Sequence, residues 1–174
     1  MEQFEVFTRD GKSLGLKDRD RVHRDGDWHK SAQVFLFDEQ DRLLLQLRAD
    51  KKDLYGGLWD YSCGEHLQPG ESFSAGAERG LFEELGIKSA NFLVPLQTLG
   101  AVEYMELAQD GYCDREIHQA FKAVVAASIE LRLDPEEVEK VEWFELARLR
   151  EWLSQKPEVF TPWFSEHVLH YGIV

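Results

Sequence analysis

The amino-acid sequence predicts an α/β fold of the α+β type, in which a mixed β-sheet is sandwiched between helices. Strand-like and helix-like segments alternate without the regular βαβ rhythm of a doubly wound sheet. Residues 33–37 and 43–47 are continuous apolar runs joined by a polar turn, which is typical of a hairpin buried on both faces. The length of 174 residues fits one domain, residues 1–174.

The other elements follow from local patterns. Residues 5–8 predict a short strand, and the mostly charged residues 18–27 lack periodicity and predict an exposed loop. Residues 73–85 predict an amphipathic helix, because apolar residues recur at helical spacing before Gly86, which stops the helix. Further strands are predicted at residues 58–63, 92–104, 117–127 and 141–144, and further helices at about 146–154 and 163–171.

Charge and composition narrow the classes of partner. The net charge of −13 and the lack of a basic stripe argue against polymeric nucleic acid. Such acidity suits carboxylates gathered around a hard cation, and a solvated acidic surface explains it equally well. No apolar run approaches the roughly 18 residues of a membrane span, and Cys63 and Cys113 form no disulfide framework. A cytoplasmic location without a membrane partner is the expectation.

Two adjacent glutamates on the predicted helix are candidates for chemistry. Glu83 and Glu84 form an i, i+3, i+4 triangle with Gly80. Two carboxylates turned toward one partly buried site repel each other at neutral pH, so a cation or a proton must neutralise them. This is a physical reason to consider a metal site, whereas a Glu-Glu pair on a helix is by itself more often a solvated face.

The segment around these glutamates resembles the Nudix box, G-x5-E-x7-R-E-U-x-E-E-x-G-U with U aliphatic. The positions in register are Glu71, Arg79, Leu81, Glu83, Glu84, Gly86 and Ile87. The resemblance implies a Nudix fold and a Mg²⁺ or Mn²⁺ cofactor held by Glu83 and Glu84, which would be catalytic. It also implies a structural pair of Arg79 with Glu71 that braces the box loop.

Two positions depart from the box. Glu65 stands where the box has glycine, and Gly80 stands where the box has the glutamate that follows the arginine. In Nudix hydrolases that glutamate is usually a metal ligand or a general base. A catalytically silent diphosphate-binding module is therefore an alternative to an enzyme.

Outside the box the chain is similar to the isopentenyl-diphosphate isomerase branch of the same superfamily. The similarity lies in four short sequence segments: HRDGDWH at residues 23–29, CGEH at 63–66, DRE at 114–116 and TPWF at 161–164. It implies a metal held by three histidines and two acidic residues, which correspond to His23, His29, His66, Asp114 and Glu116.

The isomerase resemblance also implies catalytic and substrate-binding roles. Cys63 and Glu116 would be an acid–base pair on opposite faces of the substrate's double bond, and Tyr104 matches an isomerase tyrosine. The cations that grip the diphosphate would correspond to Arg48, Lys51 and Lys52.

The expected function is that of a metal-dependent Nudix hydrolase that cleaves a diphosphate linkage in a nucleoside diphosphate derivative or a related small molecule. The adjacent pair Glu83 and Glu84 is more typical of the hydrolases than of the isomerases. An isopentenyl-diphosphate delta-isomerase is the first alternative, and the silent binding module is the second. The partner would be a small-molecule diphosphate, and the chain a monomer or a homodimer.

Overall fold

A computed structural model describes residues 2–52, 54–109 and 112–174. The strands are β1 (Gln3–Phe7), β2 (Ser13–Asp18), β3 (Trp28–Asp38), β4 (Leu43–Arg48), β5 (Trp59–Asp60), β6 (Cys63–His66), β7 (Phe92–Thr98), β8 (Glu103–Gln109), β9 (Tyr112–Val125) and β10 (Val138–Phe144). The α-helices are α1 (Arg19–Asp25), α2 (Phe73–Leu85), α3 (Leu146–Gln155) and α4 (Pro162–His170). Short 3₁₀ turns lie at Ser89–Asn91 and Pro157–Val159.

Strand β3 is the middle of a mixed sheet. It runs parallel to β9 along its whole length, from the pair Trp28–Arg115 to the pair Asp38–Val125. On its other side, β3 pairs antiparallel with β6 and then with β4, which in turn pairs with β10. Strands β7 and β8 are antiparallel to β9, and β2 is joined to the sheet through β1. The mixed sheet agrees with the fold predicted from the sequence.

In the described part of the chain, apolar side chains on the two faces of the sheet form the two larger of three buried clusters. Alternate residues of β3 and β4 belong to different cores, because side chains alternate along a strand. The core on the α2 face includes Ala32, Val34, Leu36, Leu44, Ala77, Leu81 and Leu85. The core on the α3 and α4 face includes Phe35, Leu43, Leu45, Leu149, Phe164 and Val168. The sheet is therefore sandwiched between helices, as the two-sided apolar runs predict.

Helix α2 is bounded by two caps. The Ser72 hydroxyl accepts a hydrogen bond from the N–H of Ala75 at its N-terminus. At its C-terminus Gly86 adopts φ 74°, and its N–H donates to the carbonyls of Leu81 and Phe82. The predicted span of residues 73–85 is confirmed, since helical periodicity and both caps are local features.

Other predicted spans differ from the structure. The prediction of an exposed loop at residues 18–27 is wrong: α1 lies there and buries Val22 and His23. A seven-residue helix is too short for periodicity to be detected. The predicted strand at 58–63 is two strands, β5 and β6, and the predicted strand at 92–104 is divided between β7 and β8.

One strand was not predicted at all, and another begins earlier than predicted. Strand β2 was missed, and β9 begins at Tyr112 instead of residue 117, so residues 114–116 lie within a strand. In the part of the chain that the structure describes, no helix is long and apolar enough to cross a membrane.

Candidate active site

Arg79, on α2, braces the loop between β6 and this helix. Its guanidinium donates to both carboxylate oxygens of Glu71, at 3.0 and 2.9 Å, and to the carbonyl of His66 at 2.8 Å. Glu71 also accepts from the N–H of Gln68 at 2.9 Å. Bidentate arginine–carboxylate pairs are strong and geometrically specific. The expected pair of Arg79 and Glu71 is present, and it joins strand, loop and helix.

Glu84 is buried beneath β4 and β6. It is 5% exposed; its Oε2 accepts from the Gln46 amide at 2.8 Å, and its Oε1 accepts from the Cys63 thiol at 3.3 Å. Burial, and next the charge of Glu65, raise the pKa of Glu84 to about 8. A cation beside this carboxylate would remove that penalty, and oxygen ligands suit Mg²⁺ and Mn²⁺.

Glu83 is placed differently from its neighbour. Its side chain is 51% exposed, and it accepts from Arg79 at 2.9 Å. Glu83 and Glu84 nevertheless line one cavity of about 320 Å³, together with Glu65. We call this space the box cavity; its carboxylate lining fits a hard divalent cation.

A second set of candidate ligands comes together on the opposite face of the sheet. His23 is supplied by α1, His29 by β3, His66 by β6 and Asp114 by β9. One ligand atom from each lies within 4.8 Å of the others. The Nε2 of His29 is 3.3 Å and that of His23 is 3.8 Å from Oδ1 of Asp114. We call this group the imidazole cluster.

Three polar atoms of the imidazole cluster lack a hydrogen-bond partner in the part of the chain that the structure describes. They are Nε2 of His23, Nε2 of His29 and Oδ1 of Asp114, and all three are buried. Nδ1 of His29 faces the Asp27 carbonyl at 3.1 Å, so a proton on Nδ1 leaves Nε2 free to bind a metal. Unpaired buried polar atoms are costly. Their convergence therefore fits a divalent cation that accepts nitrogen and oxygen ligands.

The histidines of the cluster have unequal proton affinities. Burial, and next the charge of His66, lower the pKa of His23 to about 3 and that of His29 to about 4. Burial, and next the charge of Glu116, raise the pKa of Asp114 to about 7. Two neutral imidazoles therefore face a carboxyl group, which is the state in which imidazole binds a metal.

Glu116 lies on the same face as the cluster and is held by three side chains there. It accepts from Ser31 at 2.6 Å and from Gln33 at 3.2 Å, and its Oε1 is 3.1 Å from Nε2 of His66. Burial alone would raise the pKa of Glu116, but the hydrogen bond and charge of His66, the charge of His29 and the hydrogen bond from Ser31 bring it well below its usual range.

Cys63 does not face Glu116. In the β3–β6 register Cys63 is opposite Val34 and Glu65 opposite Ala32, on the side of the α2 core. His66 is opposite Ser31, on the side of Glu116. The structure therefore places Cys63 and Glu116 on opposite faces of the sheet, and their interpretation as an acid–base pair stays a prediction. A spacing of three residues puts Cys63 and His66 on opposite faces of a strand.

Of the three cationic residues predicted to bind the diphosphate, two line a cavity and one does not. Arg48 and Lys52 line both the box cavity and the cavity beside Glu116. Arg48 pairs with Asp60 at 3.1 Å, and Lys52 pairs with Glu137. Lys51 instead pairs with the exposed Glu136, outside both cavities. The role of Lys51 in binding the diphosphate stays a prediction, and in this structure its ammonium pairs with Glu136.

Tyr104 also lies outside both cavities. It is 47% exposed and packs its ring against Trp28, whereas the next residue of β8, Met105, lines the cavity beside Glu116. The interpretation of Tyr104 as a substrate-binding residue stays a prediction that this position does not support. Strand alternation turns Met105 inward and Tyr104 outward.

Three residues of this region were missed from the sequence. Arg19 lines both cavities, Tyr112 stacks on the His23 ring with centroids 4.9 Å apart, and Glu65 lines the box cavity. Arg19 and Tyr112 carried no local signal, since α1 and the start of β9 were not predicted. Glu65 did carry one, because it is a departure from the box.

Comparison with known proteins identifies the family. The sequence model of the NUDIX domain family matches residues 27–164 of this chain. The chain belongs to the Nudix family. Helix α2 and the loop braced by Arg79 lie within the matched residues, in a family that generally uses divalent metal ions.

Relatives within the family include both a hydrolase and isomerases. The chain is 34% identical over 173 residues to Nudix hydrolase 3 of Arabidopsis thaliana, a match that covers 93% of this chain and 22% of that protein. It is 31% identical over 160 residues to the isopentenyl-diphosphate Delta-isomerase of Pectobacterium atrosepticum, with 92% of this chain and 86% of the isomerase covered. These Nudix relatives indicate an enzyme that acts on diphosphate-containing substrates.

A solved structure has the same fold. The protein DR0079 from Deinococcus radiodurans superimposes with a TM-score of 0.76 over 97% of this chain and 98% of that chain, at 16% sequence identity. This likeness shows that the two chains share a fold.

Proposed function

We propose that this protein is a metal-dependent Nudix hydrolase that cleaves the diphosphate linkage of a nucleoside diphosphate derivative or a related small molecule. The observation that carries the proposal is the face on which Cys63 lies. A double-bond isomerase needs its acid and base on the two sides of one substrate. Cys63 is buried against Glu84 in the α2 core, and Glu116 is on the other face.

The residues have separate roles in this proposal. Glu83 and Glu84 hold Mg²⁺ or Mn²⁺ in the box cavity, and Arg79 fixes the helix that carries them. Arg48 and Lys52, at the border of both cavities, neutralise the diphosphate of the substrate. When bound, the metal supplies charge neutralisation and a lowered pKa for the attacking water. The imidazole cluster offers a second site for a divalent ion.

The proposal also covers the cellular location and the oligomeric state of the protein. A cytoplasmic location is supported by the free thiols of Cys63 and Cys113, since disulfides are rare in reducing compartments. The chain is proposed to act on its substrate as a monomer or a homodimer.

The isomerase remains a second candidate for one reason. The imidazole cluster and Glu116 match the ligand set that the isomerase resemblance implies, and isopentenyl-diphosphate isomerases are among the relatives above 30% identity. This candidate needs Cys63 to reach the substrate.

The test is a panel of diphosphates incubated with Mg²⁺ or Mn²⁺. Nucleoside diphosphate derivatives, dinucleotides, thiamin diphosphate and isoprenoid diphosphates would be followed by phosphorus NMR. We expect cleavage of at least one substrate, and a loss of about 100-fold or more in Glu84→Gln, the order seen when a group that stabilises transition-state charge is lost. Glu78→Gln, an exposed acid on the same helix, is the control.

Two results would contradict the proposal. One is undiminished turnover in Glu84→Gln. The other is deuterium uptake from heavy water into an isoprenoid diphosphate, above a metal-only blank and lost in Cys63→Ala, which would favour the isomerase.

A further inference from the structure

Gly80 lies where helix α2 touches strand β6. A Cβ added at Gly80 would lie 2.8 Å from Cβ of Glu65 and 2.8 Å from Sγ of Cys63, closer than side-chain carbons approach in real structures. The side chain of Glu65 therefore fills the space that a side chain at position 80 would occupy. The two residues that depart from the Nudix box, Glu65 and Gly80, therefore lie against each other.

The carboxylate of Glu65 lies among the box glutamates. The β3–β6 register turns Glu65 toward α2, and its Oε2 is 3.3 Å from Nη1 of Arg79. The same nitrogen donates to Glu83 at 2.9 Å, so one guanidinium joins both carboxylates. Glu65 lines the box cavity together with Glu83 and Glu84. Its side chain is 18% exposed, which leaves it open to the cavity.

We propose that Glu65 replaces the box glutamate that is missing at position 80, and that it is a metal ligand of the box cavity. The inference rests on the proposed function, and it concerns which side chains bind the ion. A divalent ion is selected by the type and arrangement of its ligand atoms. The strand can therefore supply the oxygen that the helix lacks.

A purely structural role for Glu65 is the competing explanation. Glu65 would then serve only as an additional partner of Arg79. Arg79, however, is already held by Glu71 through two hydrogen bonds and by the carbonyl of His66. A structural role predicts an effect of Glu65 on stability without an effect on metal affinity.

The first test is Mg²⁺ binding to Glu65→Gln, measured by isothermal titration calorimetry on the full chain. Mg²⁺ is chosen because it prefers oxygen ligands to imidazole. We expect the dissociation constant to rise by at least about 10-fold, since even outer partners of metal ligands change affinity by that much. Glu84→Gln should show a similar rise, and the exposed Glu78→Gln should leave the constant unchanged.

The second test moves the carboxylate back to the helix. In a Cys63→Ala background, which removes the other close contact of position 80, we compare Glu65→Gly with the combination Glu65→Gly and Gly80→Glu. We expect the added glutamate to restore most of the Mg²⁺ affinity that Glu65→Gly loses. Restoration would identify the carboxylate itself, and not the strand, as the requirement.

Several outcomes would overturn the inference. Unchanged Mg²⁺ affinity in Glu65→Gln, with or without a lowered melting temperature, leaves Glu65 a partner of Arg79 only. The inference also fails if the variant that combines Glu65→Gly with Gly80→Glu, here called the relocated variant, melts cooperatively and yet binds Mg²⁺ no better than Glu65→Gly. If the relocated variant does not fold, the Glu65→Gln measurement decides.

Failure of the inference is distinguishable from failure of the proposed function. If Glu84→Gln loses Mg²⁺ binding and turnover while Glu65→Gln keeps both, only the inference fails. If Glu84→Gln keeps full turnover, the proposed function fails whatever Glu65 does.

Discussion

Arg79 joins several parts of the box through one guanidinium. It contacts Glu71, Glu65, Glu83 and the carbonyl of His66, which come from the strand, the loop and the helix. The hydrogen bond with Glu71 is the main reason that its pKa is raised. A planar guanidinium can satisfy these groups together, whereas the ammonium of lysine cannot bind a carboxylate in the same two-point way.

Arg79→Lys should therefore destabilise the fold while conserving charge. We expect the free energy of unfolding to fall by about 2–3 kcal/mol, because charge-assisted hydrogen bonds are lost and their acceptors remain partly buried. Urea unfolding followed by circular dichroism measures this. Arg150→Lys, an exposed substitution on α3, is the control and should change stability by less than about 0.5 kcal/mol. Equal midpoints for the two variants would contradict the bracing role.

Cys63 and His66 show how far the sequence could have gone at single positions. The spacing of three was visible, and strand alternation alone places such a pair on opposite faces. Tyr104 and Met105 follow the same rule in β8. The strand predicted at residues 58–63 ended at Cys63, so the prediction did not extend this alternation to His66. The position of Glu65 against Gly80 could not be predicted either, because it depends on the contact of β6 with α2.

Helix α2 depends on a glycine at its C-terminal end. Gly86 has φ 74°, and a Cβ there would lie 2.9 Å from Cβ of Arg132. The N–H of Arg132 donates to the carbonyl of Leu85, so the following segment closes over the helix end. Left-handed backbone and close approach thus coincide at one position.

Gly86→Ala should be more destabilising than a comparable change in open space. We expect about 2 kcal/mol, from about 1–2 kcal/mol for the left-handed conformation of a non-glycine residue and a further contribution from crowding. Gly172→Ala is the matched variant, since Gly172 has φ 62° and the added Cβ would meet no described residue within 4 Å. Thermal melts of both variants separate the cost of the left-handed conformation, which both share, from the cost of crowding, which is present at position 86 only. A larger loss in Gly172→Ala would contradict this account.

Among the elements, long and locally capped ones were predicted best. The residues of α2 repeat at helical spacing, and Gly86 marks its end in the sequence. Helix α1 was missed because it has only seven residues and buries only Val22 and His23. This miss mattered, because α1 supplies His23 to the imidazole cluster and Arg19 to the cavities.

The attachment of α4 to the sheet makes the whole fold sensitive to acid. His167, on α4, is 5% exposed, and its Nδ1 is 2.6 Å from the Tyr61 hydroxyl oxygen. Its ring also packs against His118 of β9, with centroids 4.6 Å apart. Burial, and next the charge of His118, lower the pKa of His167 to about 4.

This shift predicts a loss of stability in acid. The unfolded chain takes up a proton near pH 6.5, whereas the folded protein resists protonation until about pH 4. The contribution of His167 is therefore complete above pH 6.5, declines as pH falls, and amounts to roughly 3 kcal/mol in total. We expect His167→Gln to reduce the slope of unfolding free energy against pH between pH 6.5 and 4.

Urea unfolding at a series of pH values measures that slope. His170→Gln removes an exposed histidine from the same helix and serves as the control. An unchanged slope in His167→Gln would contradict the assignment to His167. His23 and His29 titrate in the same direction, so the slope should decrease without vanishing.

The sequence by itself determined the fold class, the family and the box helix. These depend on relations between residues close in the chain: apolar alternation, helical spacing, and motif positions that can be read in order. Only the tertiary structure decided that His23, His29, His66 and Asp114 come within reach of one another. It alone decided that Cys63 turns away from Glu116 and that Glu65 occupies the space beside Gly80. Those contacts depend on strand register and on which faces of separate elements meet, and neither is encoded within a local stretch of sequence.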